Sequence, residues 1–205
     1  MSLFSPEDEQ RISAAIADAE RRTSGEIVVV VAAQSDGYHY VPPLVGAIVA
    51  LLVPWALIFF TQLHLVPIYL IQLAVFLAVT LALMPARVRT ALVPASIKRL
   101  HAHRRAVEQF LAQSLHTTES RTGVLLFVSV AEHYAEIIAD RAIDAKVAPG
   151  TWKHILDGLT HAIGQGHPTE GFVAAIGAIG TALAAHFPPG AYDPNELPDH
   201  LIILQ

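Results

Sequence analysis

Asp36, Glu132 and Asp140 are the side chains whose chemistry comes nearest to a site. Glu132 precedes, and Asp140 closes, a short run (Ala135–Ala139) that reads as a strand. Hard cations such as Ca²⁺ or Mg²⁺ need several oxygen ligands, and these three carboxylates together could supply them. In the competing reading, Glu132 and Asp140 are caps and ion-pair partners of Arg121 and Arg141. The chain has no D-x-[DN]-x-[DN]-G loop, the pattern that marks a calcium site locally.

His154, Asp157 and His161 follow one another at i, i+3 and i+7, so they share a helical face. Two imidazoles and a carboxylate can hold zinc, but a solvated polar face opposite an apolar stripe gives the same spacing. His101-x-His103 reads as part of a basic juxtamembrane segment. Ser114, Ser120 and Ser129 lack the G-x-S-x-G context of an activated serine. Neither G-x-x-x-x-G-K nor G-x-G-x-x-G occurs. A phosphatase needs a nucleophile or metal-bound water and a cationic clamp; Arg121 and Arg141 are the scattered candidates for the clamp.

These residues sit in a chain of 205 residues with a formal net charge of −5, no cysteine and sparse charge. The charge argues against a broad nucleic-acid surface, and the lack of cysteine excludes disulfides and thiolate chemistry. The N-terminus, MSLFSPEDEQR, lacks the pattern of a secretory signal peptide, which places the start of the chain in the cytoplasm as an expectation.

Two apolar runs, 44–60 and 68–83, carry no charge, and only TQLHLVP separates them. With their flanks, 38–64 and 65–86, each is long enough for a membrane helix. Pro54 is tolerated in such a helix. The connector has no Lys or Arg, whereas Arg87, Arg89, Lys98, Arg99, Arg104 and Arg105 follow the second run. The positive-inside rule then puts both termini in the cytoplasm. A pair of soluble core helices is the alternative, disfavoured because so small a domain cannot wrap two uncharged helices on every side. A transport role is disfavoured because neither run contains a charged residue.

The flanks must position everything else. Ser5-Pro6-Glu7-Asp8 starts a helix, carried on by Ile12, Ala15, Ile16 and Ala19 and broken at Gly25. Glu26–Ala33 and Gly123–Val130 read as strands buried on both faces. Pro94–Leu115 reads as mostly helical, HTTESRTG as a loop, and Asp140 as leading into a short helix through Val147. Trp152–Ile163 is amphipathic. Thr169 caps a last helix to about Phe187, either buried against a sheet, with Gly177 and Gly180 permitting close helix–sheet approach, or a third span. The tail from 191 to 205 reads as extended.

Thr23-Ser24-Gly25-Glu26 before IVVVV resembles the first helix–strand junction of the TPM domain. Arg121-Thr122-Gly123 before VLLFVSV, then Glu132, EIIAD to Asp140, Trp152, and a glycine-containing last helix closed by Phe187-Pro188 follow that family's order of landmarks. The resemblance implies an α/β fold, a small central β-sheet sandwiched by helices; it covers both halves but not the transmembrane hairpin, which interrupts them as an insertion after the first strand. The parts are 1–37, the hairpin 38–86, 87–190 and the tail. It places Glu26, Glu132, Asp140 and Asp144 near strand ends, where clefts of open α/β sheets gather. Relatives include acid phosphatases and calcium binders. His133 departs from the family, which commonly has Arg or Lys after the glutamate. The expected function is a membrane-anchored cytoplasmic binding or scaffolding module of a bacterial inner membrane. Its expected partners are the lipid bilayer and another membrane protein, without nucleic acid, and a divalent cation such as Ca²⁺ is the candidate cofactor. An acid or metal-dependent phosphatase using Glu132 and Asp140 is the alternative.

Overall fold

A computed structural model describes residues 4–115, 122–189 and 200–204. In chain order the elements are α1 (Pro6–Glu20), β1 (Glu26–Ala32), α2 (Val41–Phe60), α3 (Leu65–Ala82), α4 (Ala86–Leu92), α5 (Ala95–Ala112), β2 (Gly123–Ser129), β3 (Tyr134–Ala139), α6 (Arg141–Asp144), α7 (Thr151–Gly164), α8 (Pro168–Ala184) and β4 (Ile202–Leu204). They form two compact units, one of residues 1–35 with 99–205 and the other of residues 36–98.

The first unit is built on a four-stranded sheet ordered β3-β2-β1-β4. β1 pairs in parallel with β2, Glu26 opposite Gly123 through Ala32 opposite Ser129. β3 folds back antiparallel on β2. Every residue of β1 and β2 is buried, whereas edge strand β3 is half-buried. Continuous β-branched and leucine runs permit this because both faces of the sheet are covered. Ile27, Val29, Val31, Val124, Leu126 and Val128 face α1, α7 and α8, meeting Ile12, Ile16, Leu159, Phe172 and Ile176. Val28, Val30, Leu125 and Phe127 face the opposite layer, where Ala106 and Phe110 of α5 pack with Leu115. The result is the expected helix–sheet–helix sandwich.

Local signals explain most helix starts. Ser5 caps α1 in a capping box: its hydroxyl accepts from the Asp8 N–H at 3.2 Å, and the Asp8 carboxylate accepts from the Ser5 N–H at 3.3 Å. The end of α1 differs from expectation. The helix stops at Glu20 with Arg21 as its cap, and Gly25 instead makes room for α8, since a Cβ there would lie 2.9 Å from Leu183 Cδ1. α8 begins at Pro168 with His167, not Thr169, at its cap position. It is a core helix, burying Phe172, Ala175, Ile176, Ile179 and Leu183. Gly180 serves helix–helix rather than helix–sheet approach, with Ala19 Cβ 2.7 Å from where its own Cβ would be, and Gly177 faces open space. β4, which the sequence offered only as part of an extended tail, pairs in parallel with Val30–Ala32. Most of the HTTESRTG loop and residues 190–199 lie outside the described residues.

The second unit contains α2, α3 and the short helix α4. α2 and α3 are long and apolar enough to cross a membrane by length and composition. Only 11% and 6% of their apolar windows is buried within the chain. Leu52, Trp55, Phe59, Phe60, Leu65 and Leu70 are each more than half exposed. Gly46 lets the two helices meet, since a Cβ there would run into the Thr80 hydroxyl. α4 is a separate piece that the apolar pattern did not reveal; the chain breaks at Val93-Pro94 before α5.

Candidate functional site

The first unit buries two sequence-predicted acids, Glu26 at the start of β1 at 9% exposure and Glu132 at 8%; Glu132 is the one at the carboxyl ends of the strands. It sits in the tight turn between β2 and β3. Val130 N–H donates to the Ala32 carbonyl and His133 N–H to the Val130 carbonyl. This turn forces His133 to φ 50°, a left-handed conformation that costs energy for a non-glycine residue. The carboxylate accepts from the Ser129 hydroxyl and, at 3.1 Å, from the Ser35 N–H. Ser35 Oγ donates to Ser129 Oγ at 2.7 Å. Two serines from the carboxyl ends of β1 and β2 therefore converge on one buried carboxylate.

Asp140 is not brought to this point. Its N–H donates to the Gly123 carbonyl, and Ser129 pairs with Tyr134 at one end of the hairpin while Val124 pairs with Ala139 at the other. At the usual strand rise, Glu132 and Asp140 stand roughly 20 Å apart. Asp140 occupies the cap position of α6, with no hydrogen bond from its side chain to the helix. Asp36 belongs to the other unit, where its Oδ1 accepts from the Tyr38 N–H at 3.0 Å. Among the described residues no three His, Asp or Glu side chains are gathered as a metal site. On α7, Asp157 pairs with Lys153 and the His161 ring bonds to Gln165, an exposed polar face. His103 of α5 meets the edge strand: its Nδ1 lies 2.9 Å from Glu136 Oε2, to which the Tyr134 hydroxyl donates at 3.1 Å. Burial, and then the Glu136 charge, push the Tyr134 phenol up to about 12.

Beside the serine–glutamate network the first unit opens into a cavity of about 570 Å³, the size that small-molecule sites take. Val128, Ser129 and Val130 from the end of β2, with His133 and Ala135, form one wall. Thr160 and Ile163 close α7 against it, and Phe172 of α8 meets Phe4 edge to face at 5.6 Å. No Asp, Glu, Lys or Arg lines it among the described residues, and the polar residues on its lining are Ser129, His133, Tyr134 and Thr160. Two of those hydroxyls are already committed as donors, Ser129 to Glu132 and Thr160 to the Leu156 carbonyl. Sequence reasoning passed over Ser35, Phe4 and Thr160. The available signal was Ser129 itself, a lone hydroxyl closing an otherwise apolar buried strand.

The fold and cavity define an α/β/α sandwich with an apolar hollow at the carboxyl ends of its parallel strands, the edge where open α/β sheets place ligands. The family model described as TPM domain matches residues 86–182, just under half of the chain. The BA42 protein of the psychrophilic bacterium Bizionia argentinensis, whose structure was determined by NMR, shares the fold. The TM-score is 0.62 over 98% of this chain and 96% of that one, at 21% identity. No curated protein matches the chain.

Proposed function

We propose that this chain is a membrane-tethered binding module whose TPM domain takes a small, largely uncharged ligand into the cavity at the ends of β1 and β2. The apolar lining of that cavity carries the reading: Phe4, Val128, Ile163 and Phe172 offer contact area, while His133 at the rim offers a hydrogen bond. Few placed polar groups in an apolar concavity is the usual composition of a ligand site. A phosphoester substrate fits less well, since among the described residues the lining holds no Lys or Arg to meet the phosphate.

The tether is α2 and α3. In water their exposed leucines and aromatics would form an apolar patch far beyond what monomeric proteins tolerate, and a bilayer of about 30 Å matches a 20-residue helix. The Lys and Arg residues after α3 favour both termini on the cytoplasmic side of a bacterial inner membrane, with lipid and a neighbouring membrane protein as partners.

The test uses the full chain in lipid nanodiscs and a panel of uncharged aromatic and aliphatic fragments, read by ligand-observed NMR. Fragments should bind the parent and be lost from Ala135→Trp, which fills the cavity, while the melting temperature holds. Binding that survives the substitution removes the cavity from the reading. Turnover of p-nitrophenyl phosphate at enzyme-like rates would replace it with a hydrolase.

A further inference from the structure

The second unit contains a buried cation with no counter-charge among the described residues. Arg89 on α4 is 9% exposed. Its Nη1 lies 3.1 Å from His39 Nδ1 and 3.4 Å from the Met84 carbonyl. Its Nε is buried without a hydrogen-bond partner, and it makes no ion pair among the described residues. A guanidinium stays charged at any ordinary pH and can only donate. His39 Nδ1 must therefore accept, which leaves the ring neutral with its proton on Nε2. Removing a charge from water without pairing it is strongly unfavourable, so a fork of donors held this way calls for an anion.

Its position says which anion. His39 lies two residues before α2, and Arg89 lies seven residues after α3. Both are at the open base of the hairpin, away from the Thr61–His64 link. If α2 and α3 cross a bilayer, as the proposed function holds, this base sits at headgroup depth, and exposed Arg87 on the same short helix adds positive charge there. Gly37 leaves the room the His39 ring occupies, since a Cβ there would lie 2.6 Å from its Nε2. We propose that Arg89 and His39 hold the phosphate of an anionic phospholipid, the guanidinium giving paired charge-assisted hydrogen bonds and the imidazole Nε2–H a further one.

The experiment follows thermal unfolding and native mass spectra of the detergent-solubilised full chain with phosphatidylglycerol, with diacylglycerol of the same chains, and with inorganic phosphate. Phosphatidylglycerol should raise the melting temperature and stay bound in the gas phase, and diacylglycerol should do neither. Arg89→Gln should weaken retention by about tenfold, and Arg89→Lys by less, because it keeps the charge but not the fork. Should Arg89→Gln fail to fold, His39→Ala at an exposed position reads the same site and should weaken retention severalfold. Equal effects of phosphatidylglycerol and diacylglycerol, or undiminished retention in both Arg89→Gln and His39→Ala, overturn the proposal. A shift with inorganic phosphate matching that of the lipid overturns the lipid assignment in favour of free phosphate. Failure of the hairpin to partition into membranes would remove the premise instead, and is read separately by carbonate extraction.

Discussion

Glu132 accepts from Ser129 and from the Ser35 N–H inside the protein, so deleting its carboxylate takes the acceptor from both donors. Glu132→Ala should destabilise the fold by about 1–3 kcal/mol, measured by chemical denaturation. A second residue-scale prediction concerns pH. The hydroxyls of Ser5 and then Thr169 hold Asp8 below its ordinary 3.8, and Glu170 is held below 4.5 first by its own backbone N–H and then by Arg11. Groups whose values are lowered by folding stabilise above their unfolded values, and that stability is lost as pH falls through the folded ones. The melting temperature should therefore drop below about pH 4, and Ser5→Ala with Thr169→Val should flatten part of that drop. Tyr134 has the opposite sign. Raised to about 12 from 10.0, it makes stability fall as pH climbs from about 10 to 12, and Tyr134→Phe should remove that loss in alkaline melts. The hold of Thr169 on Asp8 was not legible in the sequence, because the two are distant in the chain, and the rise at Tyr134 comes first from burial, which only the fold supplies.

At the scale of elements, α8 separates the two kinds of glycine that the same G-x-x-G spacing conceals. Gly180→Ala drives a methyl toward Ala19 Cβ, 2.7 Å away, and should destabilise by about 1–3 kcal/mol through overpacking of α1 on α8. Gly177→Ala meets nothing and should stabilise by up to about 1 kcal/mol through helix propensity. Denaturant midpoints of the two variants check the opposite signs. Apolarity alone left α8 open between core helix and third span. Its contacts with α1 and α7 decide, since a 17-residue helix with that much buried surface has no lipid-facing side to offer. β4 was hidden for a related reason: three residues carry almost no periodic signal, and its identity as a strand rests on pairing with β1.

For the whole molecule, the absence of cysteine makes topology directly measurable. Single substitutions Glu7→Cys and Gln62→Cys in intact cells, labelled with a membrane-impermeant maleimide, should leave the first unlabelled and label the second; the reverse would invert the orientation, and labelling of both would remove the span. The chain's own pattern determined the apolar helical pair and the strands β1 and β2, because period, charge and β-branching are local properties that solvent and lipid read directly, while the sandwich class followed from the resemblance of its landmarks to the TPM domain. Tertiary structure alone decided which polar residues meet. It buried Glu132 between two serines, sent Asp140 to the far end of the hairpin, hollowed the apolar cavity and left Arg89 without a counter-charge among the described residues. Those outcomes depend on register and on contacts between residues far apart in the chain, Ser35 with Glu132 and Phe4 with Phe172, and spacing along the chain does not encode them.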